Sequence, residues 1–451
     1  MASSRKSDHL ENILERWFAR HDLNGSKSEP SPNLSEKPVY GVAVSGGMDS
    51  MALLHALSAL SSRYNFSLLA LHVHHDLHLL ADHWEDFCRH EAQLLGIPFW
   101  GARVQIKATG KGLEAAARQR RYEALAKAPV QGVFLAHHEN DQAETLLIRL
   151  CRGSGILGLT AMQEVTRQNG MPFFRPLLRL SKASIKTYIE QEGIRYIEDP
   201  SNVERRFARN LIRHDVLPLL QSHYPQAITT IAKTAFHAQE SQLLLETLAR
   251  IDANAVLDDK ARIHIPSLLA LEEARAKNFL RFFLHQKGAL PPEAKHLQEI
   301  IKGLKSMSQQ AFVFTEGKAI LQRGGDYLYW VDSFQSEPFC VLWQGEDIIK
   351  LPRGTLWIHE SIGEGLNLEK IKTHSLTIRS RQGGEKILLQ PNRPRQKVKE
   401  LLRLHDVPAF LRDVYPLVYA GDTLVAIPQI AIATDWQAHI HETGLYFNLQ
   451  W

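Results

Sequence analysis

A chain of 451 residues exceeds what one hydrophobic core supports, and at about 100–200 residues per domain it should hold roughly two to four. Its 44% apolar and 23% charged residues exclude collagen-like and disordered classes, and three scattered cysteines (Cys88, Cys151, Cys340) exclude a disulfide framework or a C-x-x-C metal knuckle and fit a reducing compartment. The formal net charge of +4 matters only if the cations cluster, and charges throughout residues 1–20 with no apolar run of about 18 residues argue against a signal peptide or membrane partner, so a cytoplasmic location is expected.

A short amphipathic helix is expected at 10–21, followed by a Ser-, Pro- and Gly-rich linker at 24–38 without hydrophobic period. Residues 1–37 are therefore set apart from a first domain at 38–220. There, short apolar runs at 39–44, 67–73, 99–104 and 133–136 alternate with helical stretches at 48–61, 83–95, 113–126 and 141–150. That alternation is the mark of βαβ units, so an α/β fold with a doubly wound parallel sheet is predicted, its ligand at the carboxyl ends of the strands. Past about 220 the strands disappear, and helical spacing at 232–251, 266–286 and 292–304 predicts a helical domain over 221–332. Short β-like runs at 356–359, 376–379, 417–420 and 424–427 around a basic helix at 397–404 predict a small α+β domain over 345–451.

The first strand runs into Ser45-Gly46-Gly47-Met48-Asp49-Ser50 and then a helix. Two glycines let the backbone approach a ligand, and the free N–H groups of the helix start attract an anion, so a phosphate site is expected. The loop has neither the G-K-[ST] ending of a Walker A motif nor the G-x-G-x-x-G of a dinucleotide turn. Asp49 is repulsive beside phosphates unless a cation lies between them; the alternative is that Asp49 and Ser50 only cap the helix. His72, His74, Asp76 and His78 suggest a metal cluster, but side chains on such a run point apart and no cysteine assists, so pocket-lining or loop histidines are preferred. The fourth strand ends at His137-His138, followed by Asp141 and Glu144 on one helical face, where they can face Asp49. Arg152-Gly153-Ser154-Gly155 reads either as a phosphate or acceptor contact or as a helix end, and Glu114 with Arg118 as a surface pair or a site. Cations cluster at Arg103, Lys107, Lys111, Arg118, Arg120 and Arg121, at Arg205, Arg206, Arg209 and Arg213, and at Arg393, Arg395, Lys397, Lys399 and Arg403. Such clusters suit a polyanion.

Ser-Gly-Gly-x-Asp-Ser after a first strand resembles the PP-loop of ATP pyrophosphatases. With His74-His75, Gly112-Leu-Glu-Ala-x-Ala-Arg118-x-x-Arg121-Tyr122, His137-His138-x-x-Asp141-Gln-x-Glu144-Thr145, Arg152-Gly-Ser-Gly155, Ile197-Glu198-Asp199-x-Ser201-Asn202, Arg209-Asn210-x-Ile-Arg213 and the tail motifs Arg381-Gln-Gly-Gly-Glu385 and Lys397-Val-Lys399, the ordered set resembles bacterial tRNA(Ile)-lysidine synthetases. The resemblance implies an ATP-dependent ligase that adenylates the C2 carbonyl of the wobble cytidine in a tRNA(Ile) with a CAU anticodon, then lets the L-lysine ε-amine displace AMP. It implies ATP at Ser45, Gly46, Gly47, Met48, Asp49 and Ser50, and catalytic roles for Asp49, Asp141 and Arg118. It implies a lysine or Mg²⁺ site at Asp49, Asp141 and Glu144, with Asp49 and Asp141 the Mg²⁺ candidates and Arg118 a candidate for the nucleotide phosphates or the cytidine, while the cation clusters lead us to expect tRNA contacts at Arg209, Arg213, Arg395, Lys397 and Lys399. A homodimer is admissible. The within-superfamily alternative, a tRNA thiolase, generally uses cysteine pairs that this chain lacks.

Overall fold

The computed structural model describes residues 10–21, 37–74, 80–105, 113–198, 208–289, 292–306, 313–316, 319–332, 338–352 and 354–450. The chain forms two compact units, 1–244 and 245–451.

The first unit carries α1 (Leu10–His21), β1 (Val39–Ala43), α2 (Met48–Ser61), β2 (Ser67–His74), α3 (Ala81–Leu94), β3 (Phe99–Arg103), α4 (Leu113–Leu125), β4 (Val133–Phe134) and α5 (Glu139–Cys151). The elements expected at these places are all present. They are followed by α6 (Ile156–Leu159), a hairpin of β5 (Val165–Gln168) and β6 (Met171–Phe174), α7 (Lys182–Glu192), α8 (Ala208–Leu211), a π-helical turn at Ile212–Val216, α9 (Leu217–His223) and α10 (Ala227–Val256), whose residues from Leu245 on belong to the second unit. Strand order in the sheet is β3-β2-β1-β4-β6-β5, parallel except for the β5–β6 pair.

Period-two alternation splits the sheet's side chains between two layers. Leu68, Ala70, Val42, Phe134 and Phe174 pack with α2, α3 and α7. Their neighbours Leu71, Val133, Leu135 and Phe173 pack with Tyr122 and Leu125 of α4. The first layer also contains α1, through Leu10, Leu14, Trp17 and Phe18 at i, i+4, i+7 and i+8. Trp17 meets Phe134 and Phe174 edge-on at 6.0 and 5.6 Å, so α1 is built into the core that supports the sheet rather than set apart from it. Trp17→Ala should therefore cost about 3–5 kcal/mol of unfolding free energy in urea titration. An unchanged midpoint would make α1 a mere appendage.

The second unit begins with β7 (Ile263–His264), α11 (Ile265–Ala270), α12 (Glu273–Gln286) and α13 (Ala294–Lys305), then β8 (Val313–Glu316), β9 (Ala319–Gly324) and β10 (Tyr327–Asp332). The expectation of a strand-free stretch here is corrected: β7-β10-β9-β8 form a sheet, and Leu321 and Leu328 from it pack against Phe279, Leu280, Ile300 and Ile301 of the helices. Amphipathic α12 and α13 need an apolar partner, and this sheet supplies it.

Then follow β11 (Cys340–Leu342), β12 (Ile348–Lys350), β13 (Thr355–Ile362), β14 (Leu366–Asn367), α14 (Leu368–Ile371), β15 (Leu376–Ser380), β16 (Lys386–Ile387), β17 (Gln396–Lys397), α15 (Val398–Leu404), α16 (Ala409–Arg412), β18 (Pro416–Ala420), β19 (Thr423–Ile427), β20 (Ala431–Ile432) and β21 (Thr443–Gln450). They make sheets β11-β15-β18-β19-β20 and β12-β13-β21-β14 and a β16–β17 ribbon around one core, which α15 enters through Val398, Leu401 and Leu402. No helix among the described residues is long and apolar enough to cross a membrane.

Candidate active site

Strand order reverses between β1 and β4, and open α/β sheets bind ligands outside the carboxyl ends of the strands at such a reversal. β1 leads there into residues 45–50, and β4 into His137 and His138. Gly46 takes φ +83°, which favours glycine; a Cβ there would also lie 3.3 Å from Ile197 Cδ1. The Gly46 carbonyl accepts the Ile197 N–H at 2.8 Å, fixing the loop from behind. Gly47 is the N-cap of α2 and offers no side chain, so the first-turn N–H groups have no side-chain cap, an arrangement that suits an anion. Ser50 Oγ donates to the Gly47 carbonyl at 2.9 Å and accepts the Ser45 N–H at 3.2 Å. Ser50 thus braces the loop, and neither it nor Asp49 caps the helix.

His138 stands between two acids, its Nε2 3.5 Å from Asp49 Oδ2 and 3.6 Å from Asp141 Oδ2. It is also the N-cap of α5: Nδ1 accepts the Asn140 N–H at 3.2 Å, and Asp141 Oδ2 accepts the His138 N–H at 3.0 Å. With Nδ1 occupied as an acceptor, the proton of the neutral ring is assigned to Nε2, toward the carboxylates. Burial alone would lower the His138 imidazole, but Asp141 and Asp49 raise it.

Behind this pair lies a clamp. Arg209 donates through Nη2 to Asp141 Oδ1 and through Nε to Glu144 Oε2, both at 2.6 Å. Arg213 donates through Nε to Glu144 Oε1 at 2.6 Å and through Nη2 to Glu144 Oε2 at 3.0 Å and Asp141 Oδ1 at 3.4 Å. Asp141 and Glu144, three apart on α5, thus meet two arginines four apart, Arg213 sitting in the π turn that aims it. Burial would raise the Asp141 carboxyl, yet His138 and Arg209 hold it well below the usual carboxylate range.

This arrangement redistributes the expected roles. Glu144 is 1% exposed with both oxygens taken by guanidiniums, so its geometry does not support the lysine or Mg²⁺ role that the resemblance implied. Asp141 is similarly engaged, and Arg209 and Arg213, their side chains 20% and 29% exposed, are hydrogen-bonded to these acids. Asp49 differs: its Oδ1 is buried without a hydrogen-bond partner. Asp141 and Glu144 are thus tied to the two guanidiniums, whereas Asp49 neighbours His138 and keeps one oxygen available to a cation.

His138 has no role assignable from local sequence, although two consecutive histidines at a strand end point to opposite sides. Its neighbour His137 faces the α4 layer, where burial pushes its imidazole well below the usual range. Arg118 is on that side, its Nη2 3.4 Å from the Tyr122 hydroxyl, and does not join the acidic centre. Burial would raise the Tyr122 phenol, but Arg175 and Arg118 bring it below the usual range.

Of the remaining expectations, His72 Nδ1 donates to the Val44 carbonyl at 2.9 Å, His74 Nε2 lies 3.3 Å from Asp82, and no group of metal-ligating side chains occurs among the described residues. Arg152 closes α5, with Gly153 at φ +70°, as a helix end. Arg395, Lys397 and Lys399 are exposed at β17 and α15. Asp76, His78, Lys107, Lys111, Asp199, Ser201, Asn202, Arg205, Arg206 and the 24–36 linker lie outside the described residues.

Residues 22–220 match the PP-loop domain, 264–311 the TilS substrate binding domain and 376–451 the TilS substrate C-terminal domain. The chain is 33% identical over 425 residues to a tRNA(Ile)-lysidine synthase of Coxiella burnetii, covering 92% of this chain and 94% of that protein. The chain belongs to the tRNA(Ile)-lysidine synthase family. The Pseudomonas syringae tRNA(Ile)-lysidine synthase is 36% identical over 422 residues, covering 91% of this chain and 93% of that one. A solved U34-tRNA thiolase from Methanococcus maripaludis aligns with 50% of this chain and 80% of its own at 14% identity and a TM-score of 0.39. Membership in the tRNA(Ile)-lysidine synthase family removes the thiolase alternative, and the cysteines agree. All three are free, and burial pushes the Cys88 thiol up to about 12, where it is a poor nucleophile.

Proposed function

We propose that this chain uses ATP to ligate L-lysine to C2 of the wobble cytidine of tRNA(Ile) with a CAU anticodon, shifting its reading from AUG to AUA. The observation that carries this reading is Asp49, a carboxylate not tied to arginine and with one buried oxygen lacking a partner, beside an uncapped phosphate loop at the sheet's reversal point. The cytidine O2 attacks the α-phosphorus of ATP and pyrophosphate leaves; the ε-amine, after losing a proton, attacks C2, and AMP departs with the oxygen. The loop N–H groups hold the phosphates in line for the first step.

Mg²⁺ fits at Asp49, whose buried Oδ1 lacks a partner, and not at Asp141 or Glu144, whose oxygens are engaged. When bound, it would draw off charge from the triphosphate. His138 orients Asp49 toward that position, and the Arg209–Arg213 clamp keeps Asp141 in place to orient His138. AMP release that requires both tRNA(Ile) and lysine tests the reading; release indifferent to tRNA would contradict it.

The second unit would supply RNA contacts. α15 turns Val398, Leu401 and Leu402 inward, leaving Arg395, Lys397, Lys399 and Arg403 exposed. Lys397 pairs with Glu400 at 3.5 Å, but both are well exposed and such pairs are weak. Replacing Arg395, Lys397 and Lys399 with Ala should lower the slope of log tRNA affinity against log salt by roughly two to three units. An unchanged slope would show that this face does not meet RNA.

A further inference from the structure

Beside the acidic centre lies a concentration of arginine with no ion pair to a carboxylate among the described residues. Arg118 and Arg121, one turn apart on α4, flank Tyr122, their guanidiniums 5.4 and 6.0 Å from its ring. Arg175, buried just after β6, donates to the Tyr122 hydroxyl at 3.1 Å, and Arg118 Nη2 stands 3.4 Å from the same oxygen. With both guanidiniums directed at that oxygen, the phenolic O–H is left to donate elsewhere. Tyr122 is itself fixed by Phe173, with ring centroids 4.9 Å apart.

The Nε atoms of Arg121 and Arg175 and the Nδ1 of His137 are buried without hydrogen-bond partners. Among the described residues no carboxylate pairs with Arg118, Arg121 or Arg175, and the nearby Asp141 is taken by Arg209. The contrast on the same helix is Arg120, which points to solvent and pairs with Glu123 at 3.0 Å. Arg175 is buried and Arg118 and Arg121 are half-buried, and three guanidiniums gathered around one phenol, with no carboxylate paired to them among the described residues, suit an incoming anion.

We infer that Arg118, Arg121 and Tyr122, backed by Arg175 and His137, form a second phosphate site that takes a phosphodiester of the RNA, separate from the loop that takes ATP. Both ligands are phosphates, but placement divides them. Residues 45–50 open α2 in one side-chain layer of the sheet, whereas Tyr122 packs in the other. ATP phosphates seated on the loop N–H groups would therefore leave the arginines available to the acceptor nucleotide. The inference rests on the proposed tRNA reaction.

The test uses the full chain, with Arg118→Gln, Arg121→Gln and, as control, Arg120→Gln. Affinity is measured for tRNA(Ile) carrying CAU over a salt series and for a non-hydrolysable ATP analogue. Arg118→Gln and Arg121→Gln should each lower the salt slope by roughly 0.7–0.9 and reduce kcat/KM for tRNA about tenfold or more, with ATP-analogue affinity within about twofold. Arg120→Gln should leave both ligands within about twofold. Arg118→Lys, which keeps charge and fold, should retain the slope. A tenfold loss of ATP-analogue affinity with an intact tRNA slope would assign the cluster to the triphosphate and overturn the inference, as would no change in either. If the unaltered chain transfers no lysine, the functional reading fails independently of these slopes.

Discussion

Asp49→Asn is expected to lower AMP formation by about a thousandfold or more while leaving the urea midpoint unchanged, since removing one preorganised charge from such a centre costs on the order of 10²–10³ and a metal ligand more. The carboxylate packs no core: one oxygen points at His138 and the other is buried without a partner. Asparagine keeps the shape and the neighbour but removes the charge that balances a cation beside the phosphates. Part of the loss should return at raised Mg²⁺. Turnover near that of the unaltered chain would remove Asp49 from the chemistry.

Glu144→Gln should act in the opposite way, through stability. Glu144 receives three hydrogen bonds from Arg209 and Arg213 while almost wholly buried. Neutralising it leaves two enclosed guanidiniums sharing Asp141, a change that costs about 3–5 kcal/mol in buried pairs. Urea unfolding should show that loss, and the remaining folded enzyme should bind lysine with a KM close to that of the unaltered chain. An unchanged midpoint with a sharply raised lysine KM would instead make Glu144 a substrate ligand.

The two acids look alike in sequence, and the difference between them shows what sequence carries. Residues 45–50 were legible because strand, paired glycines and helix are contiguous, and the alternation from 39 to 151 fixed the elements around them. The pairing of Arg209 with Asp141 spans 68 positions, and no local spacing encodes it; read alone, Arg209 and Arg213 are only basic residues. Helix α1 is similar, since its apolar stripe was visible but the strands it covers lie beyond a linker.

Other features carry only weak local signals. Asn169-Gly170, both at positive φ, makes the tight turn of the β5–β6 hairpin, but Pro172 and the polar β5 hid the alternation around it. Tyr327-Leu-Tyr-Trp-Val331 has strand composition, yet it closes a region dominated by helical spacing. Consecutive histidines after a strand end meet different neighbours, His138 the carboxylates and His137 the arginines beside α4 and β6, and those neighbours emerge only when α4, α5, β6 and α8 converge.

Transfer of radiolabelled lysine to tRNA(Ile) with a CAU anticodon, followed with AMP release in one reaction, tests the central claim most directly. The account predicts one lysine per tRNA, located at the wobble cytidine, one AMP per lysine, and loss of both with Asp49→Asn. AMP formed without lysine on the RNA, or lysine transfer that survives Asp49→Asn, would contradict it.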